Sequence, residues 1–283
     1  HNFYPVQSVV WGEKGLANCY DHEWLSSIIF YLFSLLPYGV FLLKIVLSVA
    51  FGLTLCGYLK FFSREKELNN TQQFFLLVIT FIISMTSIRL KSYLFSMILM
   101  MLEVMLLYSN KEKPLKRHWV YAILIVMLWN NLHSGSVIMF FVIAGLFWIT
   151  NLRDKKTLLL GVLCACSLVI NPYGINLIIF DLSHASNSVM KYYITEWFSL
   201  DLKTSLGKFV FIVMLMLLIA LYQYKEKDYF LILVSSLICI MMLCSVRHVI
   251  YLIVFAFPLI CNTEFTFQIN KVRGYYDVFL IAC

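Results

Sequence analysis

Val40 to Leu59 reads VFLLKIVLSVAFGLTLCGYL, an apolar run broken by a single charge at Lys44. A helix needs roughly 20 predominantly apolar residues to cross the hydrocarbon core of a bilayer, and this run meets that length. Further apolar runs fall at about 73–88, 93–108, 119–132, 136–150, 157–170, 208–222, 229–243, 248–261 and 276 onward, each long enough to count as a candidate span once its ends reach the interface. Of the 283 residues, 61% are hydrophobic, 17% aromatic and 13% charged. Soluble domains carry about 25% charged residues. So much apolar surface needs lipid as its solvent, and the sequence predicts an all-α, polytopic transmembrane helical bundle of about nine or ten spans.

Three regions follow. Residues 1–23 read as an extracytoplasmic loop, and 24–38 as an interfacial or re-entrant helix ending at Pro37 and Gly39. Residues 39–283 read as the bundle, with a long outer loop at about 171–207. The chain begins at His1 and stops inside the apolar YYDVFLIAC. It therefore reads as a piece of a longer protein, with at least one span expected beyond each end.

The basic residues orient it. With 1–23 outside, the loops around 60–66, 111–117, 153–156, 225–227 and 271–273 fall inside, and they hold about twice the Lys and Arg of the loops between them, the bias expected of cytoplasmic loops. The net charge of +7 is then mostly a topology signal and calls for no nucleic-acid partner. The eight cysteines lie mostly inside apolar runs without a CxxC pair. They read as small buried thiols, not as a zinc site or a disulfide framework.

Residues able to do chemistry gather on the outer face. Asp21, His22 and Glu23 in CYDHEWLSS precede the first helix, where acids complement a helix N-terminus or serve a site. Arg89 and Arg247 end two spans; each either snorkels to the interface or presents a planar fork of donors to a phosphate. WNNLHSGS places Asn130, Asn131 and His133 in a tight turn, more polar groups than a cap requires. NPYG at 171–174 is a turn. Glu196 and Trp197 in ITEW echo Glu23 and Trp24 in HEWLS. Lys44 and Glu103 fall within spans, where charge is costly; they either pair with each other or line a path.

The order DHEWLS, an outer Arg, LWNNLHSGS, INPYG, ITEW and a late VR resembles a large family of polytopic bacterial membrane proteins carrying hEWLs, WaNlH, NPyG and EW patterns. The resemblance covers about residues 20 to 260. In topology it is similar to the type C (GT-C) glycosyltransferases, multi-span enzymes that use polyprenyl-phosphate-linked sugars. That likeness implies a base, or a metal ligand, at the first outer loop, so Glu23 and Asp21 stand as candidate catalytic acids and a divalent cation is the one cofactor it admits. The superfamily's usual acid follows the first span, which would precede this chain, and Glu13 is the one other acid before Asp21.

The expected function is a membrane-embedded glycosyltransferase moving a sugar from a polyprenyl-phosphate donor to an envelope glycan, lipid or protein at the outer face of the bacterial cytoplasmic membrane. Arg89, Arg247, His133, Asn131, Glu196 and His22 stand as candidate substrate or phosphate ligands. The implied partners are the lipid-linked donor and membrane lipid. Two other classes remain open: a transporter or flippase of a lipid-linked glycan, and a non-enzymatic subunit of an envelope-assembly complex. Neither internal repeats nor a concentration of mid-membrane charge, the marks of a transporter, stands out.

Overall fold

A computed structural model describes residues 21–63, 67–87, 92–113, 115–151, 155–186, 199–225 and 228–264. Every regular element among them is helical: α1 (Trp24–Ser34), α2 (Gly39–Ser63), α3 (Asn70–Ser87), α4 (Tyr93–Glu112), α5 (Lys116–His133), α6 (Ile138–Thr150), α7 (Lys155–Ser167), α8 (Ile175–Ser186), α9 (Ser205–Gln223), α10 (Tyr229–Cys244) and α11 (Leu252–Cys261), with 3-10 turns at Ser134–Ser136 and Val246–Tyr251. The chain divides into two units, residues 1–58 with 89–198 and residues 59–88 with 199–283, the first boundary falling within α2.

Of the ten apolar runs, the described helices support fewer as crossings. Among the described residues two helices are long and apolar enough to span a membrane, α2 with mean hydropathy 2.2 and α4 with 1.5. A third candidate arises if Lys116–Ser136 and Ile138–Thr150 count as one broken span, since they meet at a bend of 116°. For the shortest helices the limit is length. At 1.5 Å per residue, a helix of 13 residues such as α6 or α7 reaches only about 20 Å, short of the roughly 30 Å hydrocarbon core. The runs at 119–132 and 136–150 belong to that one bent pair. The last expected span, from 276 onward, lies outside the described residues.

In the first unit α5 is the hub, packing on α1, α4 and α7, while α6 packs on α7 and α8 on the turn after α5. α1 passes into α2 through a turn that only glycine fits. Tyr38 already takes a left-handed φ of 57°, and a Cβ on Gly39 would stand 1.5 Å from the Phe33 carbonyl oxygen. The helices are therefore joined by a fixed corner. Lys44 is exposed on α2, whereas Glu103 on α4 is 1% exposed and its Oε2 has no hydrogen-bond partner. The two do not pair, because α2 turns Lys44 away from the packed interior that holds Glu103. Cys164, Cys239 and Cys261 are buried and free, but Cys56, Cys166 and Cys244 are exposed, so half of the described thiols face outward from apolar helices.

In the second unit α11 holds the centre, packing on α3, α9 and α10. Asn69 and Gln72 form a reciprocal cap at the start of α3: the Asn69 side chain accepts the Gln72 N–H at 2.9 Å, and the Gln72 side chain accepts the Asn69 N–H at 2.8 Å. This satisfies two of the donors a helix N-terminus leaves open. The amide nitrogen of Gln72 then donates to the carbonyls of Ile260, Cys261 and Thr263 at 3.1, 3.1 and 3.0 Å. One side chain closes the start of one helix and the end of another. Gln72→Ala strips partners from buried carbonyls and should destabilise the second unit by about 1–3 kcal/mol, read as a lowered thermal midpoint in detergent; an unchanged midpoint contradicts this role.

Candidate functional site

Asp21 begins the site but spends its carboxylate on its own helix. Oδ1 accepts the Glu23 N–H at 2.9 Å and Oδ2 accepts the Ser27 hydroxyl at 3.3 Å, so an acid sits at the α1 N-terminus, where the helix dipole favours negative charge. Three further bonds fasten this end of α1 to the end of α5. Ser26 Oγ donates to the Leu132 carbonyl at 2.6 Å, Trp24 Nε1 donates to Asn131 Oδ1 at 3.1 Å, and the Ser134 N–H donates to the His22 carbonyl at 2.9 Å.

The two asparagines of WNNLH tie α5 to the segment after α7. Asn130 Nδ2 donates to the Leu168 carbonyl at 2.8 Å. Asn131 Nδ2 donates to Met127 and Ile170 carbonyls at 2.7 and 2.9 Å. The Leu168 and Ile170 carbonyls follow the end of α7, where a helix leaves acceptors unpaired. With both amide protons used and its oxygen taken by Trp24, Asn131 holds three segments together. Asn171 organises the NPYG turn, accepting the Tyr173 N–H at 2.8 Å and donating to Leu168 and Gly174 carbonyls at 2.8 and 3.0 Å, with Gly174 at φ 57°.

Glu23 is brought against His133. Its Oε1 lies 3.4 Å from His133 Nε2 and 3.9 Å from His22 Nε2, and Ser92 Oγ donates to the same oxygen. Behind the imidazole, His133 Nδ1 meets Ser96 Oγ at 2.7 Å, Ser96 meets Ser136 Oγ at 2.7 Å, and Ser136 donates to the His133 carbonyl at 2.9 Å. Trp129 Nε1 donates to Ser136 at 2.7 Å and to Ser96 at 3.1 Å. The Tyr93 ring stands edge-on to the imidazole with centroids 4.9 Å apart.

A hydroxyl has one proton to give. Ser136 gives its proton to the His133 carbonyl, so Ser96 gives its own to Ser136, and the imidazole stands between Ser96 and the Glu23 carboxylate.

Ser96, His133 and Glu23 have the membership of a hydrolase triad, but the order is reversed. In such a triad the serine meets substrate and the acid lies behind the imidazole. Here Ser96 is 0% exposed and the His133 side chain 2%, while the Glu23 side chain is 34% exposed. The accessible end is the carboxylate. It can accept a proton or hold a cation, whereas Ser96 cannot reach a substrate.

The structure thus brings together Asp21, His22, Glu23, Asn131 and His133, all in the first unit. Arg89 and Glu196 lie outside the described residues. Arg247 belongs to the second unit, on the 3-10 turn Val246–Tyr251, and its side chain is outside the described set. No group of three His, Cys, Asp or Glu arranged to hold a metal ion occurs among the described residues. Ser92, Ser96, Ser136 and Trp129 were not singled out from sequence. Their signal was present: Ser92 and Ser96 stand four apart in KSYLFSMILM, on one face at one end of an apolar helix. No protein-family model, curated protein or solved structure matches this chain.

Ser96→Ala takes from the buried His133 Nδ1 its hydroxyl partner and from the Trp129 N–H one of its two acceptors. It should cost about 1–3 kcal/mol, against under about 0.5 kcal/mol for Ser27→Ala on the exposed face of α1, measured by thermal unfolding in one detergent. Equal effects would contradict the buried network.

Proposed function

We propose that this chain is the membrane-embedded part of a GT-C-like glycosyltransferase, multi-pass in a bacterial cytoplasmic membrane, moving a sugar from a polyprenyl-phosphate donor to an acceptor hydroxyl at the outer face. The observation that carries the reading is the accessible Glu23 carboxylate, braced by Ser92 and by the buried His133. A base of this kind must be held within hydrogen-bonding reach of the proton it takes and kept from turning away.

In the proposed step Glu23 removes the acceptor hydroxyl proton as that oxygen bonds to the anomeric carbon. The bond from the anomeric carbon to the donor phosphate oxygen breaks, and polyprenyl phosphate departs as the anion. A guanidinium suits that departing phosphate in geometry and charge, and this role is assigned to Arg89. His133 acts through Glu23 as a positioning residue and takes no part in bond making. His22, beside the same carboxylate oxygen, faces the incoming acceptor. Envelope glycan, lipid or protein supplies the hydroxyl.

Membranes carrying Glu23→Gln should lose transfer from polyprenyl-phosphate-linked sugar extracted from the native host by about 10²–10⁴-fold, with protein level unchanged. Ser27→Ala should transfer at the wild-type rate. Wild-type transfer by Glu23→Gln overturns the reading.

A further inference from the structure

Between α6 and α7 the first unit leaves a cleft of about 210 Å³, lined by Phe140, Phe141, Gly145, Trp148, Leu158 and Gly161 among other small and apolar residues. Gly145 and Gly161 stand on opposite walls. Small residues between membrane helices ordinarily let two backbones touch. Here they do not serve that end, because a Cβ added at either glycine would find no heavy atom within 4 Å. The helices pack yet leave a trough beside their glycines.

The trough has the dimensions and ends of a lipid site. From Phe140 to Trp148 it runs about 12 Å along α6, close to the roughly 15 Å hydrocarbon depth of one leaflet. At the Trp148 end Lys155 and Lys156 are exposed. Lys155 is in register with Leu158 and Val162 along one helix face, and both of those line the trough. This end belongs to the basic loop at 153–156, whose cations attract anionic headgroups. Tryptophan at the same level is an interfacial side chain. A hydrocarbon wall capped by cations matches an acyl chain beneath a phosphate.

We infer that the α6–α7 cleft binds an anionic membrane phospholipid, with one acyl chain over Gly145 and Gly161 and its phosphate at Lys155 and Lys156. The inference stands apart from the sugar-transfer reading, since it uses none of the residues around Glu23.

Native mass spectrometry of the detergent-purified chain, titrated with phosphatidylglycerol and separately with phosphatidylcholine, tests it. Wild type should retain one phosphatidylglycerol in preference to phosphatidylcholine. Gly161→Leu and Gly145→Leu each add side-chain volume where a Cβ meets open space, and each should lower retention about tenfold, the effect of losing roughly two buried methylenes. Lys155→Gln with Lys156→Gln should abolish the preference for the anionic lipid. Gly52→Leu is the matched control, because Gly52 on α2 also faces open space; it should change nothing. Either glycine variant alone suffices if the other fails to fold. Undiminished retention in the folded glycine variants overturns the proposal. So does equal loss in Gly52→Leu, equal retention of phosphatidylcholine, or glycine variants that dissociate a dimer instead of releasing lipid.

Discussion

A partly exposed carboxylate rests against an imidazole that is almost wholly enclosed, and the first unit is arranged around that contact. Burying an imidazole costs free energy unless both ring nitrogens are satisfied. His133 meets this demand on one side with Ser96, itself supported by Ser136 and Trp129, and on the other with Glu23. Each partner comes from a different place: Glu23 from the start of α1, Ser92 and Ser96 from α4, Trp129 from α5 and Ser136 from the 3-10 turn. The contact therefore fixes where those segments meet. Asn130 and Asn131 extend the same logic to the end of α7.

The 116° bend after α5 has its physical origin here. A straight continuation would carry Ser136 away from Ser96 and Trp129. The SGS stretch turns the chain over instead, and the Ser136 hydroxyl meets Ser96, Trp129 and the His133 carbonyl. In a bilayer such backbone irregularity survives only where protein encloses it, which is the condition at Ser134 and Ser136, both nearly inaccessible. The same turn starts α6, so the site and the α6–α7 trough descend from one break in the chain.

Helical class and lipid surroundings were legible in the sequence, because 61% hydrophobic residues leave few other solutions. The number of crossings was legible only in part. Hydropathy records where apolar residues cluster, not whether the helix through them is long or broken, and α5 and α6 illustrate the difference. For the site, DHEW and WNNLH identified two of the segments that meet, since charge and amide groups are conspicuous in an apolar chain. The serines of α4 were not conspicuous. A lone hydroxyl is tolerated in membrane helices by bonding its own backbone, so only the three-dimensional meeting with His133 gave Ser96 its meaning. Asn131 is conspicuous by its polarity, and its hydrogen bonds run within the protein to Trp24, Met127 and Ile170.

The central claim is that the contact of Glu23 with His133 holds the start of α1 on the buried network. A double-mutant cycle of Glu23→Gln and His133→Ala, read as thermal unfolding in one detergent, measures this directly. The account predicts that the two losses depart from additivity by about 0.5 kcal/mol or more. Strictly additive losses would contradict it.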